Sequence, residues 1–262
     1  MRDVAVDKQC NFGVYMKSFF TKASVLSLTL GLCLSAFSAQ ATEFKVAMIQ
    51  LDPWTIPDPV RPGYLMGIVP DLMREIEKRT GHKVTGRMTP YARVEADLEN
   101  GLVDFSFMAW GPQRSKYANK GAAGFTLEFG VWAVKGVSIK NYADLKGKTI
   151  SVTRGLKVEP YFDADTTLDK EPDLDYTVGV KKAKLGRVQA VAGSLSTIKH
   201  VIAGMSAQNS FGDILVLTST EATISYSKKS PNIAHENLIN NTVRQIVADG
   251  TMKKIQEKWL KN

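Results

Sequence analysis

Short apolar segments alternate with amphipathic segments along most of the chain. Residues 44–50 form an apolar, β-rich run, and residues 67–81 carry apolar side chains at helical spacing until a glycine ends the pattern. A second strand (83–88), a helix (91–100) and a third strand (103–110) follow. Because strands that alternate with helices favour parallel sheets, we predict an α/β fold.

This alternation is interrupted at residues 135–140, after a longer extended segment at 125–135. It then restarts, which indicates that the chain enters a second α/β lobe. Gly155 is predicted to open a helix over 155–162, and residues 175–180 are predicted to be extended. The other elements predicted beyond the interruption are a short helix at 141–145, strands at 148–153, 187–191, 213–218 and 223–227, and helices at 195–204, 234–249 and 251–260.

The first forty residues have the features of an export signal. Residues 25–37 are an apolar run that is too short to span a bilayer, which takes ~20 residues. Basic residues precede the run and the sequence Ala-Gln-Ala follows it, so we predict a secretory signal peptide over 1–41 with cleavage after Ala41. The alternative interpretation of the apolar run is a buried core helix, but such a helix would not need the Ala-Gln-Ala ending. Met16 would begin a signal of normal length, which leaves a misassigned start codon as an alternative for residues 1–15.

Composition narrows the chemistry of the mature protein. The two cysteines, Cys10 and Cys33, both precede the predicted cleavage site, which excludes thiol nucleophiles, thiolate metal sites and disulfides. The three histidines are far apart in sequence, so we expect no metal or other cofactor. No second long apolar run follows, and we expect a soluble periplasmic protein without a membrane span.

The charged residues indicate solvated surfaces rather than a nucleic-acid site. The formal net charge is +8, but the basic residues are spread along the chain, and the lysine groups at 181–184 and 253–258 fall on predicted helix faces. An exported chain without aromatic residues among those lysines is not typical of nucleic-acid binding. The acidic residues between 163 and 175 are interpreted as a solvated loop.

Catalytic motifs are missing, and the remaining candidate chemistry is that of a binding site. The sequence has no G-x-S-x-G, no phosphate-binding loop and no H-E-x-x-H. The third strand ends in Ala109 and Trp110, and Arg114 follows at the carboxyl edge where open α/β sheets bind ligands. The planar guanidinium of Arg114 suits a carboxylate or phosphate, and a surface salt bridge is an equally weighted alternative for it.

Two further positions fall at equivalent strand ends. Trp54 lies in a proline-rich loop after the first strand, where its ring can stack on a flat or cationic ligand. Arg154 joins a strand to the N-terminus of the helix predicted over 155–162, whose free N–H groups and dipole favour an anion.

Several short motifs occur in an order that resembles a known family. They are GIVPDL (67–72), PYAR (90–93), LENGLVD (98–104), GPQR (111–114), DLKGKTISV (144–152), GRVQAV (186–191), DGTM (249–252) and IQEKW (255–259). With this order, residues 44–262 resemble the bacterial extracellular solute-binding proteins of family 3, the polar amino-acid type that serves ABC transporters.

The resemblance implies an α/β, two-lobed, periplasmic-binding-protein-like (type II) fold with two crossover hinge strands. Lobe one would comprise residues 42–135 plus 220–262, and lobe two residues 136–219. A ligand would be held in the cleft between hinged lobes. The implied partners are a small polar or anionic ligand and an inner-membrane ABC permease, and we expect the protein to be a monomer.

The resemblance also assigns roles to individual residues. Arg114 matches the arginine that grips a ligand carboxylate, and Trp54 matches the aromatic residue that covers the ligand. Ala109 stands where the family often has a threonine, and Ser194 stands where an aspartate usually pairs with the ligand ammonium group. A buried ammonium group without a counter-charge would be costly. The residues predicted to bind the ligand are Arg114, Trp54, Trp110, Ala109, Arg93, Arg154 and Ser194.

Three of these candidates, Arg93, Arg114 and Arg154, are cationic, which favours an acidic ligand. The sequence therefore predicts an exported binding protein, not an enzyme, for a small polar, carboxylate-bearing molecule such as an amino acid or organic acid. The alternatives are an exported dehydratase or lyase on the same scaffold, which would need a general acid or base in the cleft, and a sensory binding protein.

Overall fold

The computed structural model describes residues 41–260, which form one eight-stranded mixed sheet, a two-stranded sheet and flanking helices. The strands are β1 Glu43–Ile49, β2 Ile56–Pro57, β3 Leu65–Met66, β4 Lys83–Thr89, β5 Phe105–Ala109, β6 Ala118–Val134, β7 Thr149–Thr153, β8 Asp169–Asp173, β9 Ala190–Ser194 and β10 Phe211–Ser227. The α-helices are α1 Ile68–Thr80, α2 Tyr91–Glu99, α3 Pro160–Ala164, α4 Tyr176–Lys184, α5 Leu195–Gly204, α6 Glu236–Ala248 and α7 Thr251–Leu260. Apart from Ala41, the predicted signal peptide lies outside the described residues.

Two long antiparallel strands connect two groups of parallel strands. The sheet order is β4-β1-β5-β10-β6-β9-β7-β8. Within the first group β1 pairs in parallel with β4 and β5, and within the second β7 pairs in parallel with β8 and β9. Between the groups, β6 and β10 pair with each other in antiparallel register, and each is 17 residues long. The expected crossover strands are therefore present.

The long strands are buried where they join their groups and more open in the middle. Residues 222–226 of β10, which pair with β5, are all buried, as is most of the part of β6 that pairs with β9. By contrast, residues 218–221 of β10 are half-buried or exposed. Polar side chains in the middle of a central strand thus mark a place where the core is interrupted.

Most predicted elements lie within a few residues of observed ones, and two predictions are wrong. The helix predicted over 155–162 begins only at Pro160, because Gly155 has a φ of +81° and Glu159 caps the helix by accepting from the Phe162 N–H. Residues 175–180, predicted to be extended, start helix α4, which Asp175 caps by accepting from the Val178 N–H. The edge strand β8 was not predicted.

None of the helices within residues 41–260 has the length and apolar character needed to cross a membrane.

Candidate functional site

A cavity of about 500 Å³ lies between the two strand groups, beside the open middle of β6 and β10. The first group contributes residues of α2 and of the segment that follows β5, and the second contributes residues that follow β7. The lining residues are Tyr91, Glu95, Ala109, Trp110, Gly111, Pro112, Gln113, Arg114, Phe129, Lys157, Val158, Glu159, Pro160, Asp163, Ala164, Thr218, Ser219 and Thr220. Three of the predicted site residues, Ala109, Trp110 and Arg114, are therefore brought together here.

Arg114 is held rigidly at the wall of this cavity. Pro112 starts a short 3-10 turn directly after β5, and the turn directs the Arg114 side chain back over the end of that strand. The Nη1 atom of Arg114 donates to the Ala109 carbonyl at 2.8 Å, and the guanidinium carbon lies 5.6 Å from the centre of the Trp110 ring. Only 4% of the side chain is exposed, so its position is fixed by protein contacts.

Glu95 of helix α2 is the charge partner of Arg114. Its Oε2 atom accepts from Nε of Arg114 at 3.0 Å, and its Oε1 atom accepts from Nη2 at 2.5 Å. Tyr117 donates its hydroxyl proton to the same Oε2 atom at 2.6 Å. Burial alone would raise the pKa of Glu95, but the hydrogen bonds from Arg114 and Tyr117 outweigh it and hold that pKa below its usual range. The cavity wall therefore contains a hydrogen-bonded ion pair rather than a free cation.

The tyrosine at the start of α2 is half-buried beside this ion pair. Burial raises the pKa of Tyr91 to about 12, with the Glu95 carboxylate adding to the rise and the Arg114 charge opposing it. Tyr91 thus remains protonated at physiological pH and gives the cavity a neutral hydroxyl group.

Two more carboxylates line the cavity from the segment after β7. Glu159 accepts from the Phe162 N–H at 2.8 Å, and Asp163 accepts from the Val158 N–H at 3.2 Å. Burial raises the pKa of Asp163 above its ordinary value, against the opposing effects of the Val158 N–H and nearby lysines. The lining thus has three carboxylates against the cations Arg114 and Lys157, so its charge is not the cationic one expected from the sequence.

Trp54 packs in the core and is not among the cavity-lining residues. It is 4% exposed, and its ring centre lies 6.1 Å from that of Phe107 and 5.9 Å from that of Phe125. Its Nε1 atom donates to the Thr197 hydroxyl of α5 at 3.1 Å. Ligand stacking by Trp54 stays a prediction.

Arg93, Arg154 and Ser194 also lie outside the cavity lining. Arg93 is exposed on α2, with its Nε atom 3.8 Å from Asp97, while Arg154 is exposed in the turn after β7. The helix predicted to begin directly after Arg154 begins only at Pro160. Residues 157–160, which follow the turn, therefore line the cavity in place of Arg154. Ser194 is buried at the end of β9, where its N–H donates to the Tyr176 hydroxyl at 2.8 Å. Ligand contacts by these three residues stay predictions.

Sequence reasoning missed the acidic residues of the site. Tyr91 and Glu95 are four residues apart on a correctly predicted helix, so the spacing already places them on one face. That spacing gave no indication of which residue faces them. Asp163 was assigned to a solvated loop, but it is half-buried and lines the cavity, because the short helix α3 turns it inward.

A family model described as "Bacterial extracellular solute-binding proteins, family 3" matches residues 50–262. No curated protein matches the chain.

Solved structures similar to the chain include three with different described roles. ArgBP from T. maritima, solved as a mutant, is 22% identical with a TM-score of 0.71, over 84% of this chain and 96% of that one. A histidine kinase sensor domain with similarity to periplasmic binding proteins is 14% identical with a TM-score of 0.71, over 85% and 96%. The ancestral amino acid-binding protein AncCDT-1, a precursor of cyclohexadienyl dehydratase, is 22% identical with a TM-score of 0.67, over 84% and 96%. These likenesses confirm the fold expected from the sequence, and at such identities they show the fold alone.

Proposed function

The chain belongs to the bacterial extracellular solute-binding proteins, family 3, and on this basis we propose that it captures a small polar solute in the cavity beside Arg114. The protein acts in the periplasm after cleavage of its signal peptide, and it delivers the solute to an inner-membrane ABC permease or presents it to a receptor. The observation that carries the proposal is a cavity of about 500 Å³, lined from both strand groups, with a fixed guanidinium in its wall.

Arg114 retains donors for a ligand. A guanidinium has five N–H groups, and Glu95 and Ala109 accept from three of them. The two that remain donate to a carboxylate of the solute, with Tyr91 and the 218–220 segment supplying hydroxyl groups nearby. The solute is thus one that bears a carboxylate.

The acidic lining favours a solute that also carries a positive charge. Once Glu95 is paired with Arg114, the charged lining residues that remain are Glu159, Asp163 and Lys157. A purely anionic ligand would face two carboxylates there, whereas a zwitterion offers them a cationic group. This replaces the acidic ligand expected from the sequence with a zwitterionic one, of which amino acids are the simplest class.

The two predicted lobes, residues 42–135 with 220–262 and residues 136–219, close on the solute by bending in β6 and β10. The two groups of parallel strands, joined by two long antiparallel strands, support this assignment. The hydrogen bond from Trp54 to Thr197 and that between His200 and Asp52 at 3.2 Å link the two lobes. The ligand stabilises the closed form only through contacts with both lobes.

Calorimetric titration of the mature protein with a library of amino acids and organic acids tests the proposal. Arg114→Gln is expected to weaken binding by ~2–5 kcal/mol, because it removes a desolvated charged donor. Arg244→Gln changes an exposed arginine of helix α6 outside the cavity lining and is expected to leave affinity unchanged. Equal affinity of wild type and Arg114→Gln would refute the anchor.

One observation favours an enzyme as a second candidate. Asp163 lines the cavity, and burial raises its pKa, which is the property expected of a general acid. Under this alternative, the protein converts an organic or amino acid that it binds. Mass spectrometry of incubated substrates would detect turnover, and Asp163→Asn would abolish that turnover. An absence of turnover across the library would exclude this candidate for those substrates.

A further inference from the structure

The most unusual feature of the cavity is that a carboxylate of the protein already occupies the arginine. Glu95 engages Nε and Nη2 of Arg114 with both of its oxygens, which is the two-pronged geometry that a free carboxylate would adopt. Tyr117 donates to the same carboxylate, and the Arg114 side chain is 4% exposed. One complete edge of the guanidinium is therefore closed to ligands.

We propose that Glu95 is a specificity-determining residue that fills the anionic half of the arginine site, so that the cavity discriminates against ligands of net negative charge. This rests on the proposed function of the cavity, and it names the charge class that the cavity accepts. Zwitterionic and cationic solutes are accepted, whereas dicarboxylates are disfavoured.

Because Glu95 is part of the chain, its pairing with Arg114 is favoured over pairing with the carboxylate of a free ligand. Helix α2 holds Glu95 in place, so its pairing with Arg114 costs no loss of translational freedom, whereas a ligand would lose that freedom on binding. A second anion that approached Arg114 would meet a charge that is already neutralised and would lie close to the Glu95 carboxylate. Like charges at such a distance repel each other.

Two partners on one other segment keep Glu95 in this position. Arg114 and Tyr117 lie on the turn after β5, and together they donate to both carboxylate oxygens. A purely structural role would also explain these contacts, since an ion pair ties α2 to the end of β5. The two roles differ in one respect: only the specificity role makes ligand preference depend on the ligand's charge.

Acetate is a probe that reports whether the arginine is open. The experiment measures the Tm of three mature proteins: wild type, Glu95→Gln and Glu99→Gln. Each is measured at increasing concentrations of sodium acetate and, for comparison, in sodium chloride at the same ionic strength. Glu99 is exposed on the same helix and serves as the matched control. Acetate is expected to raise the Tm of Glu95→Gln by about 2–4 °C more than it raises the Tm of the other two proteins, because in those two Glu95 already occupies the Nε–Nη2 edge of Arg114. An equal acetate response in wild type would overturn the proposal.

A charge series then separates specificity from stability. Titration with L-arginine, L-glutamine and L-glutamate is expected to show that Glu95→Gln shifts the ratio of glutamate to arginine affinity by about tenfold towards glutamate. A uniform loss for all three would mean that Glu95 is only structural and would contradict the proposal. Glu95→Asp keeps the charge but is shorter, so it is expected to show a smaller shift in the same direction if Glu95→Gln does not fold.

These outcomes are separate from a failure of the proposed function. If no library solute binds wild type, the proposed function fails, while the acetate response still decides whether Glu95 closes the arginine.

Discussion

Trp54 donates a hydrogen bond from its indole nitrogen to the Thr197 hydroxyl at 3.1 Å, although 143 residues separate the two in sequence. Both side chains are buried, Thr197 at 0% and Trp54 at 4% exposure. The bond joins the loop after β1 to helix α5, segments that belong to the two proposed lobes. The tryptophan that sequence reasoning assigned to ligand stacking thus connects those segments.

Thr197→Val is expected to destabilise the protein by ~1–3 kcal/mol, because the Trp54 N–H would remain buried without its acceptor. The measurement is the free energy of unfolding from urea denaturation. Thr166→Val makes the same chemical change at an exposed position and should stay within ~0.5 kcal/mol of wild type. Equal stability of the two variants would mean that the hydrogen bond contributes nothing.

Gly155→Ala is expected to weaken ligand binding about tenfold, equivalent to ~1.4 kcal/mol. A Cβ at Gly155 would lie 2.8 Å from the Cβ of Ala92 on α2, so the two sides of the cavity would have to move apart. Calorimetric titration of the solute provides the measurement.

Gly147→Ala is the matched control for this steric effect. Gly147 has a φ of +73° against +81° at Gly155, but a Cβ there meets no atom within 4 Å. Both substitutions carry a similar backbone cost of ~1–2 kcal/mol in stability. Only Gly155→Ala should reduce affinity, and equal affinities would show that the Ala92 contact is irrelevant to binding.

Two cavity carboxylates, Glu95 and Asp163, should make opposite contributions to the pH dependence of folding stability. The pKa of Glu95 is lowered in the folded protein, so its stabilisation is present above its unfolded pKa of about 4.3 and is lost as pH falls through the lower folded value. The pKa of Asp163 is raised, so its neutral form favours folding at low pH, and that contribution is lost as pH rises from about 3.9 through the folded pKa.

Urea midpoints measured from pH 3 to pH 7 test both directions. Relative to wild type, Glu95→Gln should lose less stability on acidification below about pH 4.3. Asp163→Asn should lose less stability as the pH rises above about 3.9. If the pH profiles of both variants shifted in the same direction, the opposite pKa shifts of Glu95 and Asp163 would be contradicted.

The regular elements of the fold were predictable because hydrophobic periodicity determines them. Helix α1, with its apolar stripe and terminal Gly81, was predicted to within a residue at each end. Periodicity failed where local polar chemistry decides the structure. The sequence Tyr-Thr-Val-Gly-Val has strand propensity, but the Asp175 cap and packing of Tyr176 and Val180 make it helical. Strand β8 consists of Asp-Lys-Glu-Pro-Asp, which has no apolar pattern, and it forms because it pairs with β7 at the sheet edge.

Only the part of the site at the end of one strand could be predicted from the sequence. Arg114, Trp110 and Ala109 follow or end β5, so their common location could be inferred from the strand itself. The pairing of Arg114 with Glu95 depends on how α2 packs against the end of β5, which no local pattern encodes. Arg114 therefore does form a salt bridge, as the alternative interpretation of the sequence proposed, but the bridge lies in the cavity wall rather than on the surface.

Native mass spectrometry of mature protein equilibrated with the solute library most directly tests whether the cavity beside Arg114 is the binding site. Ala164→Trp would place an indole ring in the cavity lining, and Ala248→Trp makes the same change at an exposed position on α6. Wild type and Ala248→Trp are predicted to carry one bound small molecule and Ala164→Trp none. Retention of the same molecule by folded Ala164→Trp would show that it binds elsewhere and would contradict the account.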